Sequence, residues 1–303
     1  MKTCFVIPLC AILSFWGSTV LAQEYVDLVR ASYIFSPNNQ FDNSEEDTHI
    51  QEAILNLTLP VRINDNNALI FGAYNEIIQT RLSPDAGFTQ LYTINPKIGL
   101  STTYGFRWSS NVLLLPKLSS DLVAPISSQD WQFGLIALMK YKKRKDLQYR
   151  FGFYYNGEIF GPLIVPILGL YYQSKDKKYE VNLNLPLLAD VNMRIGRYTR
   201  WGVNFFGIVR TYNLDASAYG TGAYVTKISN EPYTYLQFRL GQNILLETML
   251  GYSVARSYRA YRDGDNLDFA ISALRFGDDR QQVNTDFSDG LIIRGRLTYR
   301  FYL

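Results

Sequence analysis

Apolar and polar residues alternate along this chain in segments of about ten residues. In YEVNLNLPL, Tyr179, Val181, Leu183 and Leu185 share one side while Glu180, Asn182 and Asn184 share the other. Successive side chains of a strand point to opposite faces, so a period of two predicts a strand with one oily face and one wet face. WQFGLIALMKY groups Trp131, Phe133, Leu135, Ala137, Met139 and Tyr141, and LQYRFGFYYN groups Leu147, Tyr149, Phe151, Phe153 and Tyr155 opposite Gln148, Arg150 and Asn156. TYLQFRL separates Leu236, Phe238 and Leu240 from Gln237 and Arg239, and ILLETMLGYSV sets Ile244, Leu246, Leu250 and Tyr252 against Glu247. The closing GLIIRGRLTYRFYL places Ile293, Leu297, Tyr299 and Phe301 opposite Arg294, Arg296 and Arg300. The stretches 68 to 81 and 201 to 213 alternate poorly, and their faces stay unassigned.

The links between these segments have their own rhythm. Short polar turns fall at 64 to 67, 107 to 111, 142 to 146, 174 to 178, 196 to 200 and 241 to 243. Longer links are expected at 36 to 48, 82 to 88, 116 to 130, 157 to 163, 186 to 190, 214 to 232 and 256 to 287. Tight turns at one end and longer loops at the other describe an up-and-down meander. The expectation is all-β: a single antiparallel transmembrane β-barrel of about 14 strands, with short periplasmic turns and longer extracellular loops. The alternative count is about 12, if the weakly alternating segments are not strands. The rival reading is a soluble secreted all-β protein, but so many aromatic faces would need a very large dry core. A closed barrel pairs every backbone group within lipid, and an open sheet does not. Tyr (23) and Phe (18) supply most of a 15% aromatic share, which suits interfacial girdles. Beyond the first residues no apolar run reaches the roughly 18 needed for a spanning helix.

The first 22 residues place Lys2 before an apolar run, followed by Val20-Leu21-Ala22, the pattern of a secretory signal peptide cleaved near Ala22. Residues 23 to 303 then form the barrel domain. Both cysteines, Cys4 and Cys10, fall within the signal, so the remainder offers no disulfide and no thiolate. The net charge is +3, with no basic block of the kind that binds nucleic acid.

The stretch GPLIVPILGLYYQSKDKKYEVNLNLPLLADVNMRIGRYTRWGV, residues 161 to 203, runs from a proline-bearing strand through a charged turn into an alternating strand and on to Trp201. YGFRWSSNVLLLPKLSSDL, residues 104 to 122, repeats the texture of strand, Trp turn and strand. In these stretches the chain resembles the outer-membrane β-barrel proteins of Gram-negative bacteria, in particular a family whose function is unassigned. The resemblance implies fold and a bacterial outer-membrane location, and it brings no catalytic residues. It also implies recognition by the barrel assembly machinery through a terminal strand with alternating hydrophobics. Ile293, Gly295, Leu297, Tyr299 and Phe301 fit that pattern, while the final Leu303 departs from the usual terminal aromatic.

If the apolar faces meet outer-membrane lipid, Lys140, Arg150, Glu180, Arg194, Arg239, Glu247, Arg294, Arg296 and Arg300 face the lumen. Cations outnumber carboxylates in that set, and basic rings favour anions in a pore. The expected function is a passive channel or transporter for small solutes, of unspecified identity, with mild anion preference. Two alternatives stand beside it: a non-conducting barrel acting in structure or at the surface, and a hydrolase. The hydrolase would use His49, the one histidine, as base for Ser44 in the acidic loop DNSEEDTHI. Spacing alone makes no triad, so an incidental histidine is the preferred reading there. No enzyme activity, cofactor or metal is assigned, and Asp263-Gly264-Asp265 reads as a turn rather than a calcium loop.

Overall fold

The structure, a computed structural model, describes residues 25 to 215, 219 and 222 to 302. The expected signal segment lies outside them. The strands, in chain order, are β1 (Tyr25–Gln40), β2 (Asp47–Arg62), β3 (Asn67–Arg81), β4 (Phe88–Tyr104), β5 (Trp108–Ser120), β6 (Trp131–Arg144), β7 (Leu147–Glu158), β8 (Gly161–Gln173) and β9 (Tyr179–Leu185). They continue as β10 (Leu188–Arg194), β11 (Thr199–Leu214), β12 (Ala223–Arg239), β13 (Ile244–Tyr252), β14 (Ser257–Tyr261), β15 (Phe269–Ile271), β16 (Leu274–Phe276) and β17 (Leu291–Tyr302). Each wall strand pairs antiparallel with its neighbours, and β1 pairs with both β2 and β17. The chain therefore closes as an antiparallel 14-strand β-barrel, with β14, β15 and β16 lying within its last link.

The alternation read from the sequence sets the two faces of the wall. On β17, Ile293, Leu297, Tyr299 and Phe301 are exposed while Arg294 and Thr298 are buried. Aromatic rings gather near the turn side, where Trp108 lies 4.7 Å from Tyr141 and 5.9 Å from Phe151. Rings with one polar edge suit such an interface. An arginine at Leu297, on the lipid face, is expected to cost about 2–4 kcal/mol. Urea titration of the barrel refolded in phosphatidylcholine vesicles checks this, and an unchanged midpoint would contradict the assigned face.

The links differ from expectation in three places. The connections predicted over 157 to 163 and 186 to 190 are two-residue turns, at 159 to 160 and 186 to 187. Gly157, Gly161, Pro162 and Pro186 do not call for loops there, because glycine and proline are tolerated at strand ends and sheet edges. The link predicted over 214 to 232 is mostly strand, since β12 begins at Ala223. β12 bonds β11 without interruption from Thr199↔Phe238 to Leu214↔Ala223.

That long hairpin reveals the main departure from a plain barrel. Residues 210 to 214 and 223 to 227 are buried on both faces, which a lipid-facing strand cannot be. The loop-side halves of β11 and β12, with β14 added beside β12, turn inward as a three-stranded septum. Asn213 of β11 pairs with Ser120 of β5, a strand six places away around the wall. One septum face carries Tyr212, Leu214, Val225 and Tyr258 into an apolar cluster with Ile50, Ile78 and Leu91 of β2, β3 and β4. Ile78 thus faces the lumen although apolar, which is why residues 68 to 81 alternate poorly.

Where the septum leaves the wall, the wall is incomplete. β8 pairs with β9 only from Leu168 to Gln173, and β10 reaches β11 only as far as Phe206. The free edge of β8 is occupied by the last link: Leu267 N donates to Phe160 O (2.9 Å), Ser272 N donates to Ile164 O (2.9 Å), and Ala270 and Ile271 pair with Leu163 and Ile164. Pro162 and Pro166 share the parity of Ile164, so the N–H each lacks would have pointed at the missing neighbour. Proline on such an edge removes a donor that would otherwise stand unpaired.

Candidate functional site: a divided lumen

The septum is held by buried charge. Glu76 of β3 accepts from Arg210 and from Tyr212 Oη (2.7 Å) of β11, and from Lys227 Nζ (3.2 Å) of β12. Lys227 also pairs with Glu52 at 2.8 Å, and Tyr258 Oη of β14 donates to Glu52 at 3.0 Å. On the opposite face Thr211 donates to Glu158 of β7 from its N–H (2.8 Å) and its hydroxyl (2.6 Å), and its carbonyl accepts from Ser119 Oγ (2.7 Å) and Gln132 Nε2 (3.1 Å). Lys117 sits 3.2 Å from both Glu158 oxygens. Burial of an ion is costly unless it is paired and hydrogen-bonded, and here both requirements are met from two walls at once. The septum therefore spans the loop-side lumen from β2 and β3 to β5, β6 and β7.

Below it, toward the turn side, lies a polar chamber of about 130 Å³. Its lining carries five arginines, Arg30, Arg200, Arg294, Arg296 and Arg300, against three carboxylates, Glu180, Asp190 and Glu247. Four of the arginines are engaged: Arg296 Nη1 donates to Glu247 (3.0 Å), Arg30 and Arg300 both bind Asp27, and Arg200 lies 3.7 Å from Glu180. Glu247 also accepts from Gln237 (2.7 Å), Tyr25 donates to Glu180, and Arg200 Nε donates to Asn192 (2.6 Å). Asp190 is held by Tyr235 Oη (3.0 Å) and Asn204 (3.1 Å). Gly202 makes room for that tyrosine, since a methyl there would lie 2.5 Å from its ring. Arg294 differs. It is 7% exposed, and among the described residues its one hydrogen bond goes to Ser32 Oγ at 3.2 Å, its guanidinium lies 5.9 Å from the Tyr233 ring, and its Nε has no hydrogen-bond partner, nor has Arg296 Nε beside it.

Of the lumen residues expected from sequence, Glu180, Glu247, Arg294, Arg296 and Arg300 come together in the chamber. Arg150 borders it, donating to Asn182 at 2.7 Å and stacking 5.7 Å from the Tyr171 ring, and Lys140 lies 2.9 Å from the Asn111 amide. Arg194 and Arg239 share the inward parity but stand exposed at the turn-side rim. Arg194 donates there to Asp176 O (2.9 Å), and Arg239 lies 6.0 Å from the Tyr302 ring. The septum anchors Glu52, Glu76, Glu158, Arg210 and Lys227 were missed. Their signal was the run YVTKI at 224 to 228, β-branched and aromatic within a stretch read as loop.

The loop beyond β14 is latched to the septum from the loop side. Arg280 donates to Asp278 (2.7 and 3.0 Å) and lies over the rings of Tyr261 (4.4 Å) and Phe160 (5.1 Å). The hydrogen bonds and charge of Arg280 hold the Asp278 carboxyl down to about 2, against burial, from an ordinary value near 3.8. A depressed carboxyl contributes stability that is full above its unfolded pKa and is lost as pH falls through the folded one. The latch is expected to hold from neutral pH to about 4 and to loosen between about 4 and 2. Hydrogen exchange at residues 267 to 280, corrected for intrinsic rate, should accelerate only in that window. Loss of protection already at pH 6 would contradict it.

His49 lies on the outer face between Phe88 (4.6 Å) and Phe35 (6.1 Å), in an aromatic group near the loop-side rim. Ser44 Oγ accepts instead from the Glu46 N–H (3.1 Å). The structure gives the two residues of the hydrolase alternative separate partners. Among the described residues no three His, Cys, Asp or Glu side chains form a metal cluster.

A family model described as a domain of unknown function, DUF6268, matches residues 19–270. The chain belongs to this family. The expected resemblance to an outer-membrane barrel family of unassigned function is thereby met, with the DUF6268 chain closing as a 14-strand barrel. No curated protein matches it. Solved structures similar to this DUF6268 barrel include the COG4313 outer membrane channel from Pseudomonas putida F1, at 8% identity, 90% of this chain, 93% of that chain and a TM-score of 0.44. Another is a TodX deltaS2S3 mutant monoaromatic hydrocarbon channel, at 10% identity, 92% and 91% coverage and a TM-score of 0.43. A third is the translocator domain of autotransporter NalP from Neisseria meningitidis, at 9% identity, 90% and 88% coverage and a TM-score of 0.39.

Proposed function

We propose that this protein is a bacterial outer-membrane transporter of small anions whose lumen is closed on the loop side by the septum until the septum moves. The observation that carries the reading is the arginine excess of the chamber, above all Arg294, buried there with one hydrogen-bond partner, a hydroxyl, among the described residues. A buried guanidinium in that condition gains most from an added anion, which supplies both charge and acceptors. Lipid on the outer face and the assembly machinery acting on β17 are the partners this reading requires. Fractionation with outer membranes and heat-dependent gel mobility test the location.

The filled loop-side lumen favours a second reading, a barrel that never conducts and serves structure or surface contact. Planar-bilayer recordings separate the two. A transporter should give chloride-selective conductance once the septum is released, read as the reversal potential across a KCl gradient. Cation-selective current would overturn the anion reading, and silence after septum release would favour the second.

A further inference from the structure

The unfinished wall beside β8 points to a route for one class of substrate. Loop-side of the short β9–β10 hairpin, β8 keeps β7 on one side but has no wall strand on the other over residues 161 to 167, and this part of it is apolar on both faces. Leu163, Val165 and Ile167 turn inward and Pro162, Ile164 and Pro166 outward. The edge is covered by a strap, residues 267 to 276, held to β8 by only a few backbone bonds. The β15–β16 hairpin of that strap exposes Phe269, Leu274 and Phe276, with the two phenylalanine rings stacked 4.5 Å apart. Exposed apolar residues on a hairpin lying in the barrel wall suit contact with lipid. Behind it, Leu267 and Ala270 pack on Phe160, Leu163, Tyr224 and Tyr261. Next to the gap the outer face also dips, in a groove of about 600 Å³ bordered by Val203, Phe205, Pro232 and Leu250.

The apolar cluster and the arginine chamber meet at one place. Leu187 and Val209 pack against the cluster, and Leu188, the next residue in the chain, and Phe206, three residues before Val209 on β11, line the chamber. A path from the outer leaflet under the strap is therefore oily until it reaches the arginines. The chamber, at about 130 Å³, holds an anionic head group and little more.

We infer that the strap closes a lateral portal, and that the substrate is an amphipathic anion. Its apolar chain enters between β8 and the strap, and its carboxylate or phosphate binds at Arg294 and Arg296. This rests on the anion-transport reading and adds the substrate class and the side entrance.

Cross-strand cysteines can lock the strap, because paired strand positions fall within disulfide reach. Leu163→Cys and Ala270→Cys are Cα partners, and Cys4→Ser with Cys10→Ser removes the only other thiols. The probe is a dodecanoate bearing a chain diazirine, photolysed with the full chain in proteoliposomes and mapped by mass spectrometry. Labelling of Leu188 and Phe206 is expected, falling at least tenfold when the pair is oxidised and returning on reduction. Arg294→Gln with Arg296→Gln should lower the same labelling without affecting the lock. Interior labelling that ignores the lock, or labelling confined to lipid-facing residues, overturns the portal. If, in addition, the septum-released barrel still selects chloride, the anion reading survives and only the portal and substrate class fail.

Discussion

Replacing Glu76 with alanine is expected to turn a silent barrel into a conducting one. The wild-type septum rests on this carboxylate, which Arg210, Tyr212 and Lys227 reach from two septum strands. Lys227 keeps Glu52 at 2.8 Å after the change, but no other carboxylate pairs with Arg210 among the described residues. Leaving a buried charge without its partner costs about 3–5 kcal/mol. That cost falls on the closed position alone, because a septum swung toward water can hydrate Arg210. The closed population should drop by two or more orders of magnitude, since about 1.4 kcal/mol is a factor of ten. Planar-bilayer recordings should show rare or no openings in the wild type and sustained current in Glu76→Ala. Glu76→Gln, which retains an acceptor without the charge, should fall between them. A Glu76→Ala protein that is correctly folded and equally silent would show that Glu76 does not hold the lumen shut.

The second large effect concerns selectivity. With Glu76→Ala holding the lumen open, Arg294→Gln combined with Arg296→Gln is expected to remove most of the chloride preference. The chamber lining has five arginines and three carboxylates, with Asp27 behind it pairing with Arg30 and Arg300, so taking away two cations removes the excess of positive charge. In a narrow low-dielectric passage a balance of fixed charge decides which ion enters. The chloride-to-potassium permeability ratio, from reversal potentials in a KCl gradient, should fall several-fold toward unity. Arg194→Gln with Arg239→Gln, at the exposed rim, should leave it nearly unchanged because water screens those charges. Equal effects from both pairs would place the selective step at the rim.

The wall was legible because lipid imposes a strict rule on it. Each outward position must be apolar, so β6, β7, β9 and β17 show their faces at a glance, and the tight turns mark the strand count. The septum was not legible, because a strand buried on both sides obeys no alternation. Tyr224, Val225 and Thr226 are all buried, and their order carries no period. The two tight turns at 159 to 160 and 186 to 187 were hidden by glycines and prolines whose meaning is positional. Pro162 and Pro166 belong to a stretch read as a proline-bearing strand, and only the missing neighbour of β8 explains why that strand carries them. Likewise the three arginines of β17 declared their direction in the sequence but not their company. Only the fold shows Arg300 paired with Asp27, Arg296 with Glu247, and Arg294 with no carboxylate among the described residues, only the Ser32 hydroxyl and the Tyr233 ring.

The most direct test of a divided lumen is a cross-link between Ser120→Cys and Asn213→Cys in the chain with Cys4→Ser and Cys10→Ser. These positions are Cα partners, on strands that stand six places apart around the wall and meet only if the end of β11 crosses the lumen. Mild oxidation of the refolded barrel should give near-complete disulfide, seen by mass spectrometry and by a mobility shift on unheated gels. Two free thiols after oxidation, both open to a water-soluble maleimide, would contradict the septum and leave an open barrel in its place.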